Sequence, residues 1–127
     1  RQLRQQWADI ERRRERTLTL AGIALDQSFA IPPDALHTAG IEGLNRLPVI
    51  CCDAQQAQRL ADAGGRLGIS TMYGKTLPEF LGMSATEAST AYPEAYRFAR
   101  TLITIPTHAR IDADARSRLR DLLRNAA

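Results

Sequence analysis

The stretch Ala91–Ile111, AYPEAYRFARTLITIPTHARI, constrains what this chain can fold into more than any other. Tyr92-Pro93-Glu94-Ala95 has the composition of a helix start. Proline suits a first turn because its missing N–H has no intrahelical partner there, and Glu94 complements the helix dipole. Ala95, Phe98, Ala99 and Leu102 supply an apolar face at helical spacing. The period then changes at Leu102-Ile103-Thr104-Ile105, which predicts a short buried strand stopped by Pro106. Asp112 opens a second helix after Ile111. Helix, strand, proline-stopped loop and closing helix follow one another without a spacer.

The other segments must fit around that unit. At 127 residues the chain has the length of one domain and buries roughly two-thirds of its unfolded surface. Its 44% apolar and 24% charged content is ordinary for a globular chain, which argues against global disorder. No apolar run approaches the roughly 18 residues needed to span a bilayer, and no signal peptide is evident. Opening on Arg1 rather than Met suggests a processed chain or a segment cut from a longer protein.

Leu3, Trp7 and Ile10 recur at i, i+4 and i+7, and Leu18 and Ala21 continue the stripe on a rotated face. This predicts a long amphipathic helix to about Ala21, stopped by Gly22, with Glu11 and Glu15 among arginines on its exposed side. The organisation expected is a linking helix over 1–24 and an α+β domain over 25–127. Asp26–Asn45 contains Pro32-Pro33, Gly40 and Gly43 and reads as a connection, with Phe29-Ala30-Ile31 as a short strand and His37 as a loop histidine. Leu47–Cys52 is a continuous apolar run, hence a buried strand with Pro48 near its start or at an edge. Asp53 caps a helix over Ala54–Ala63, with Ala57, Leu60 and Ala61 inward and Gly64-Gly65 at its end. Leu67–Tyr73 reads as a second strand, Gly74-Lys75 as a turn and Leu77–Met83 as irregular chain. The last helix runs from Asp112 to about Asn125, with Ala115, Leu119, Leu122 and Leu123 inward. The sum is an α+β fold, a small three- to four-stranded sheet covered by helices. The pattern leaves the strand directions open, and its spacing suits a ferredoxin-like βαβ arrangement.

Residues that carry chemistry are few. GxGxxG, P-loop, HExxH and GxSxG motifs are all absent. Lys75, close to Tyr73, can be pictured as a Schiff-base lysine, but a lysine in a glycine turn is ordinarily solvated. Asp112 and Asp114 sit where a helix starts and read as caps rather than a catalytic carboxylate pair. His108 reads as a residue that fixes the turn after Pro106. Cys51 and Cys52 close an apolar run, have no ligand spacing for zinc, and read as reduced structural thiols. The formal charge of +3 and pI near 9.3 are the excess of seventeen basic residues, sixteen of them Arg and only Lys75 a Lys, over fourteen acidic ones. Only Arg12-Arg13-Arg14-Arg16 is dense, and its alternation with Glu11 and Glu15 favours a solvated helix face over nucleic-acid binding. The residues by themselves assign no catalytic, cofactor-binding or metal-ligating position.

The order of segments says more. Arg46-Leu47-Pro48-Val49-Ile50, Ala57-x-x-Leu60, Leu67-Gly68-Ile69-Ser70-Thr71-x-Tyr73, Tyr92-Pro93-Glu94-Ala95 and Ile103-x-Ile105-Pro106-x-His108 precede a terminal amphipathic helix. Over about residues 46–125 this resembles the C-terminal part of the DegT/DnrJ family of pyridoxal-phosphate-dependent sugar aminotransferases. The preceding helix with Leu3, Trp7 and Ile10 looks like that family's connector between large and small domains. Two departures stand out. Tyr73 is followed by Gly74-Lys75-Thr76-Leu77-Pro78 where the family often has Pro-Leu-His, and Pro93-Glu94-Ala95 reverses the commoner Ala-Glu order.

The resemblance implies a fold like the C-terminal domain of fold-type I aminotransferases. It implies a cytoplasmic, homodimeric parent enzyme that uses pyridoxal phosphate on a keto sugar, usually nucleotide-linked. The cofactor lysine, the phosphate-binding loop and the ring-contacting acid would lie in a large N-terminal domain, the partner of this one. The 127 residues themselves would hold no cofactor and catalyse nothing. They would close one wall of the active site, with Tyr73, Lys75 and His108 as the substrate-proximal positions. Neither nucleic acid nor membrane is an expected partner. Two other readings stand beside this one: an interaction module docking through the Trp7 helix, and a basic nucleic-acid binder.

Overall fold

The computed structural model describes residues 2–108 and 111–127. It is an α+β fold in which helices cover a small three-stranded antiparallel sheet. The chain opens with α1 (Gln2–Asp26), followed by α2 (Pro33–Ile41), β1 (Arg46–Ile50) and α3 (Ala54–Gly64). Then come β2 (Ser70–Thr71), three helices α4 (Leu77–Phe80), α5 (Ala85–Ala91) and α6 (Pro93–Thr101), β3 (Leu102–Pro106) and α7 (Ala113–Ala126).

The sheet order is β1-β3-β2, with both outer strands antiparallel to β3. β1 and β2 therefore run parallel to each other, joined through α3, with β3 inserted between them. This split βαβ unit is the core of the ferredoxin-like arrangement expected from spacing. As the central strand, β3 is buried along all five residues, which matches its continuous apolar run. α7 and α3 pack against each other, and Leu119, Leu123, Ala57 and Leu60 join Leu47, Val49, Ile103 and Ile105 in the core.

Several local expectations fare differently. Gly22 does not stop α1, which continues to Asp26. A mid-helix glycine costs only about 1 kcal/mol, and Leu20, Ala21, Ile23 and Ala24 bury on both sides of it. The expected connection over Asp26–Asn45 contains α2, with Pro33 in its first turn, so His37 lies exposed on a helix and not in a loop. Phe29-Ala30-Ile31 contributes one bridge, Ala30 to Ile50, in place of a strand. The second strand shrinks from Leu67–Tyr73 to Ser70–Thr71, because a 3-10 turn takes Gly65–Leu67 and the chain leaves the sheet after Thr71. The first strand ends at Ile50, two residues short of Cys52.

Leu77–Met83, expected to be irregular, includes α4. Its capping box joins Thr76 and Glu79, and α5 starts with a second box of Ser84 and Glu87. α6 begins at Pro93 as expected, yet Ala95 and Phe98 are exposed, and its buried residue is Thr101. The closing helix agrees with its sequence pattern: Asp112 accepts from the Ala115 N–H at 2.8 Å, and Leu119 and Leu123 are buried. Within the organising stretch Ala91–Ile111, Ala109 and Arg110 lie outside the described residues.

α1 departs most from the body. Twenty-five residues make a helix about 37 Å long, and its buried residues are Thr17, Leu20, Ala21, Ile23 and Ala24. Leu3 is 72% exposed and Trp7 65% exposed, so the first part of the apolar stripe faces outward. Gly43, at φ +72, fastens the middle of α1 to the chain entering β1; a Cβ there would lie 2.6 Å from the Arg14 backbone nitrogen. Thr17 completes the join, its Oγ1 accepting from the Leu44 N–H at 3.1 Å.

Candidate functional site

β2 ends beside the start of β3, since Thr71 pairs with Ile103. Tyr73 and Lys75 follow immediately and are exposed, with Gly74 at φ +67 turning the chain between them. Lys75 makes no hydrogen bond or ion pair with the described residues, which leaves its ammonium to solvent. Beyond it, α4 is pinned to α6 by one ion pair. Arg100 donates through Nη2 to Glu79 Oε1 at 2.6 Å and through Nη1 to Oε2 at 3.1 Å. The same Glu79 Oε2 accepts from the Thr76 N–H and hydroxyl, both at 2.8 Å. Glu79's side chain is only 5% exposed and Arg100's 23%, and the guanidinium stacks 3.6 Å over the Tyr96 ring. The Arg100 hydrogen bonds, then the Thr76 N–H, hold the Glu79 carboxyl down at about 2.

The segments on both sides of that pin carry exposed apolar side chains. Tyr73, Leu77, Phe80, Leu81, Tyr92 and Phe98 are all exposed, and a cavity of about 510 Å³ opens among Pro78, Leu81, Met83, Glu87, Ala91 and Tyr92. Leu81 and Tyr92 join that cavity to the exposed side chains, and exposed apolar area around a cavity is characteristic of a surface that another body covers.

His108 lies at the other end of the sheet. Pro106 pairs with Arg46 at the end of β3 opposite Leu102, and a five-residue strand spans about 16 Å. The structure therefore separates His108 from Tyr73 and Lys75. His108 is exposed, and its carbonyl accepts from the Ile111 N–H at 3.1 Å. Thr107 beside it is fully buried; its hydroxyl donates to the Leu44 carbonyl, and its own carbonyl accepts from Arg16 Nε at 2.9 Å.

Arg46 has a role that the sequence did not reveal beyond its place heading a strand. Its Nε donates to Thr104 Oγ1 at 2.7 Å, and Nη2 donates to the Gly68 carbonyl at 2.6 Å and reaches Ser70 Oγ at 3.1 Å. One side chain on β1 thus reaches across β3 to β2. The signal was an arginine at a strand start in a sheet whose other strands carry Ser70 and Thr104, but it needs the strand order to be read.

The cysteines are both free, Cys51 buried and Cys52 exposed. Burial, with Cys52 and Asp53 close by, pushes the Cys51 thiol up to about 12. Asp53 caps α3 by accepting from the Gln56 N–H at 2.7 Å, which lowers its carboxyl below the usual range. Gln56 in turn joins the Cys52 N–H to the Ala126 carbonyl. The arginine run is divided: Arg12 pairs with Asp9 at 2.7 Å, Arg16 holds Thr107, and Arg13 and Arg14 are half-buried. Among the described residues, no group of three or more His, Cys, Asp or Glu is placed to hold a metal ion, and no helix is long and apolar enough to cross a membrane.

No family model, curated protein or solved structure matches the chain.

Proposed function

We propose that the chain is the C-terminal small domain of a cytoplasmic, pyridoxal-phosphate-dependent aminotransferase that acts on a keto sugar, typically nucleotide-linked. The observation that carries this reading is the coincidence of motif order with architecture. The segments headed by Arg46, Gly68 and Ile103, ordered as in the DegT/DnrJ family, fall on the three strands of the sheet, with Ala57-x-x-Leu60 on α3 between the first two and Tyr92 at the start of α6, which leads into the third. A long lead-in helix with exposed Leu3 and Trp7 supports the same reading, because it offers an apolar stripe to a larger neighbour. In this reading the large domain supplies the cofactor lysine and phosphate cup. The small domain supplies the wall carrying Tyr73 and Lys75. The cofactor contributes the electron sink, and the protein contributes orientation and exclusion of water.

With His108 and Tyr73 at opposite ends of the sheet, this reading takes the Tyr73 end as the substrate-facing one. Tyr73, Lys75 and the Leu77–Leu81 segment form that wall, and His108 belongs to the turn into α7. The test is to express the complete reading frame containing this chain and supply glutamate with a nucleotide-linked keto sugar. The expected result is bound pyridoxal phosphate, visible by absorbance, and amino transfer. A complete protein that binds no pyridoxal phosphate overturns the reading.

An interaction module docking through α1 is the second reading, and the outward-facing Trp7 favours it equally. The same experiment separates the two, since a module needs no cofactor.

A further inference from the structure

The His108 end of the sheet holds a basic cleft that neither the fold nor the proposed reaction requires. A cavity of about 350 Å³ is lined by Asp9, Arg13, Arg16, Asn45, Thr107 and His108. Arg13 and Arg16 are three residues apart on α1, so their side chains rise from the same helix face. Both are half-buried. Arg16 uses Nε to hold the Thr107 carbonyl, leaving the rest of its five N–H donors uncommitted. Arg13 makes no side-chain hydrogen bond or ion pair with the described residues. The one carboxylate lining the cavity, Asp9, is paired with Arg12 at 2.7 Å. Arg13 and Arg16, both half-buried, thus line one cleft with no anion of the described residues paired to either.

We infer that this cleft binds an oxyanion of the phosphate class. Guanidinium forks match phosphate oxygens in geometry and charge, and an anion there relieves the repulsion between Arg13 and Arg16. The cleft also has a second compartment. His108 lines a neighbouring cavity of about 300 Å³ with Arg66, Leu67, Gly68, Ile111 and Ala115. The two cavities share His108, and Arg66 lines the second as Arg13 and Arg16 line the first, so a ligand with two linked phosphoryl groups can draw on the charge of both. The inference rests on charge and cavity shape alone and stands apart from the aminotransferase reading.

The chain reports on the site directly, because it contains only two histidines. His108 lines both cavities, whereas His37 is exposed on α2 and lines neither. Proton NMR of the imidazole rings is recorded while inorganic phosphate, pyrophosphate, a nucleoside diphosphate or a single-stranded oligonucleotide is titrated at constant ionic strength. The expected result is a saturable shift of the His108 resonances with pyrophosphate, weaker with phosphate, and none at His37. A nucleoside diphosphate that binds more tightly than pyrophosphate identifies a nucleotide as the source of the phosphates; equal affinity identifies the free diphosphate. Arg13→Gln removes no internal bond and is expected to weaken binding at least about tenfold. Arg4→Gln removes the same charge about 13 Å along the helix and is expected to change little. Arg16→Gln, with its native amide spectrum verified, serves as the second variant and is expected to match Arg13→Gln. Equal shifts at both histidines, an Arg13→Gln protein that binds like the parent, or binding of the oligonucleotide alone overturns the inference.

Discussion

Glu79 and Arg100 carry the firmest local prediction. The carboxyl titrates at about 2 in the folded chain against an ordinary 4.5. A depressed carboxylate contributes its stability above the ordinary value and loses it as pH falls through the folded one. Glu79→Gln is therefore expected to unfold at lower urea than the parent at neutral pH. The gap should narrow below pH 4.5 and close near pH 2, and a gap that does not change with pH would contradict the pairing. The capping half of this arrangement carries a sequence signal, the capping-box spacing of Thr76-x-x-Glu79, which the expectation of irregular chain over Leu77–Met83 passed over. The Arg100 half was not, because it joins residues 21 positions apart and depends on how α4 meets α6.

Two more residues have distinct expectations. Arg46→Ala removes charge-assisted bonds to Thr104, Gly68 and Ser70, and should lower stability by about 1–3 kcal/mol in chemical denaturation. Arg46→Lys should restore little of it, because an ammonium on a flexible stem cannot reproduce the fork. For the thiols, an aromatic disulfide reagent should label Cys52 quickly and Cys51 only on unfolding. Cys51 is 3% exposed and its thiol is held up at about 12. Fast reaction of two thiols in the native chain would contradict that environment.

At the scale of elements, α1 and the Gly43 contact matter most. Gly43→Ala places a Cβ 2.6 Å from the Arg14 backbone at a positive φ, and should destabilise by about 2–4 kcal/mol, measured by urea unfolding. Hydrogen exchange should divide α1, with the amides around Trp7 exchanging fast and those around Leu20–Ala24 protected. Uniform protection along the helix would contradict the exposed stripe. The existence of α1, α3, α6, β3 and α7 was legible from period and caps. Their neighbours were harder. α2 follows a Pro-Pro pair that reads as a break, although Pro33 is in fact its first helical residue. β2 is short because Gly68, at φ +80, lets the 3-10 turn consume residues whose side chains look strand-like. The Ala95–Phe98 face looked like core because helical spacing alone does not say which apolar face is covered.

For the whole molecule, the α+β class followed from segments alternating between a helical and a strand period, and the split βαβ order gave it a definite form. The sequence showed which residues resemble a family motif but not which end of the sheet each occupies; chain reversal at β3 places His108 away from Tyr73 and Lys75. The central claim is that these residues form the small domain of a pyridoxal-phosphate enzyme whose cofactor lysine lies elsewhere. Borohydride reduction of the complete protein, followed by peptide mass mapping of the pyridoxyl-lysine, tests it most directly. The account predicts one stoichiometric adduct outside these 127 residues and none on the isolated chain; an adduct on Lys75, or no adduct at all, would contradict it.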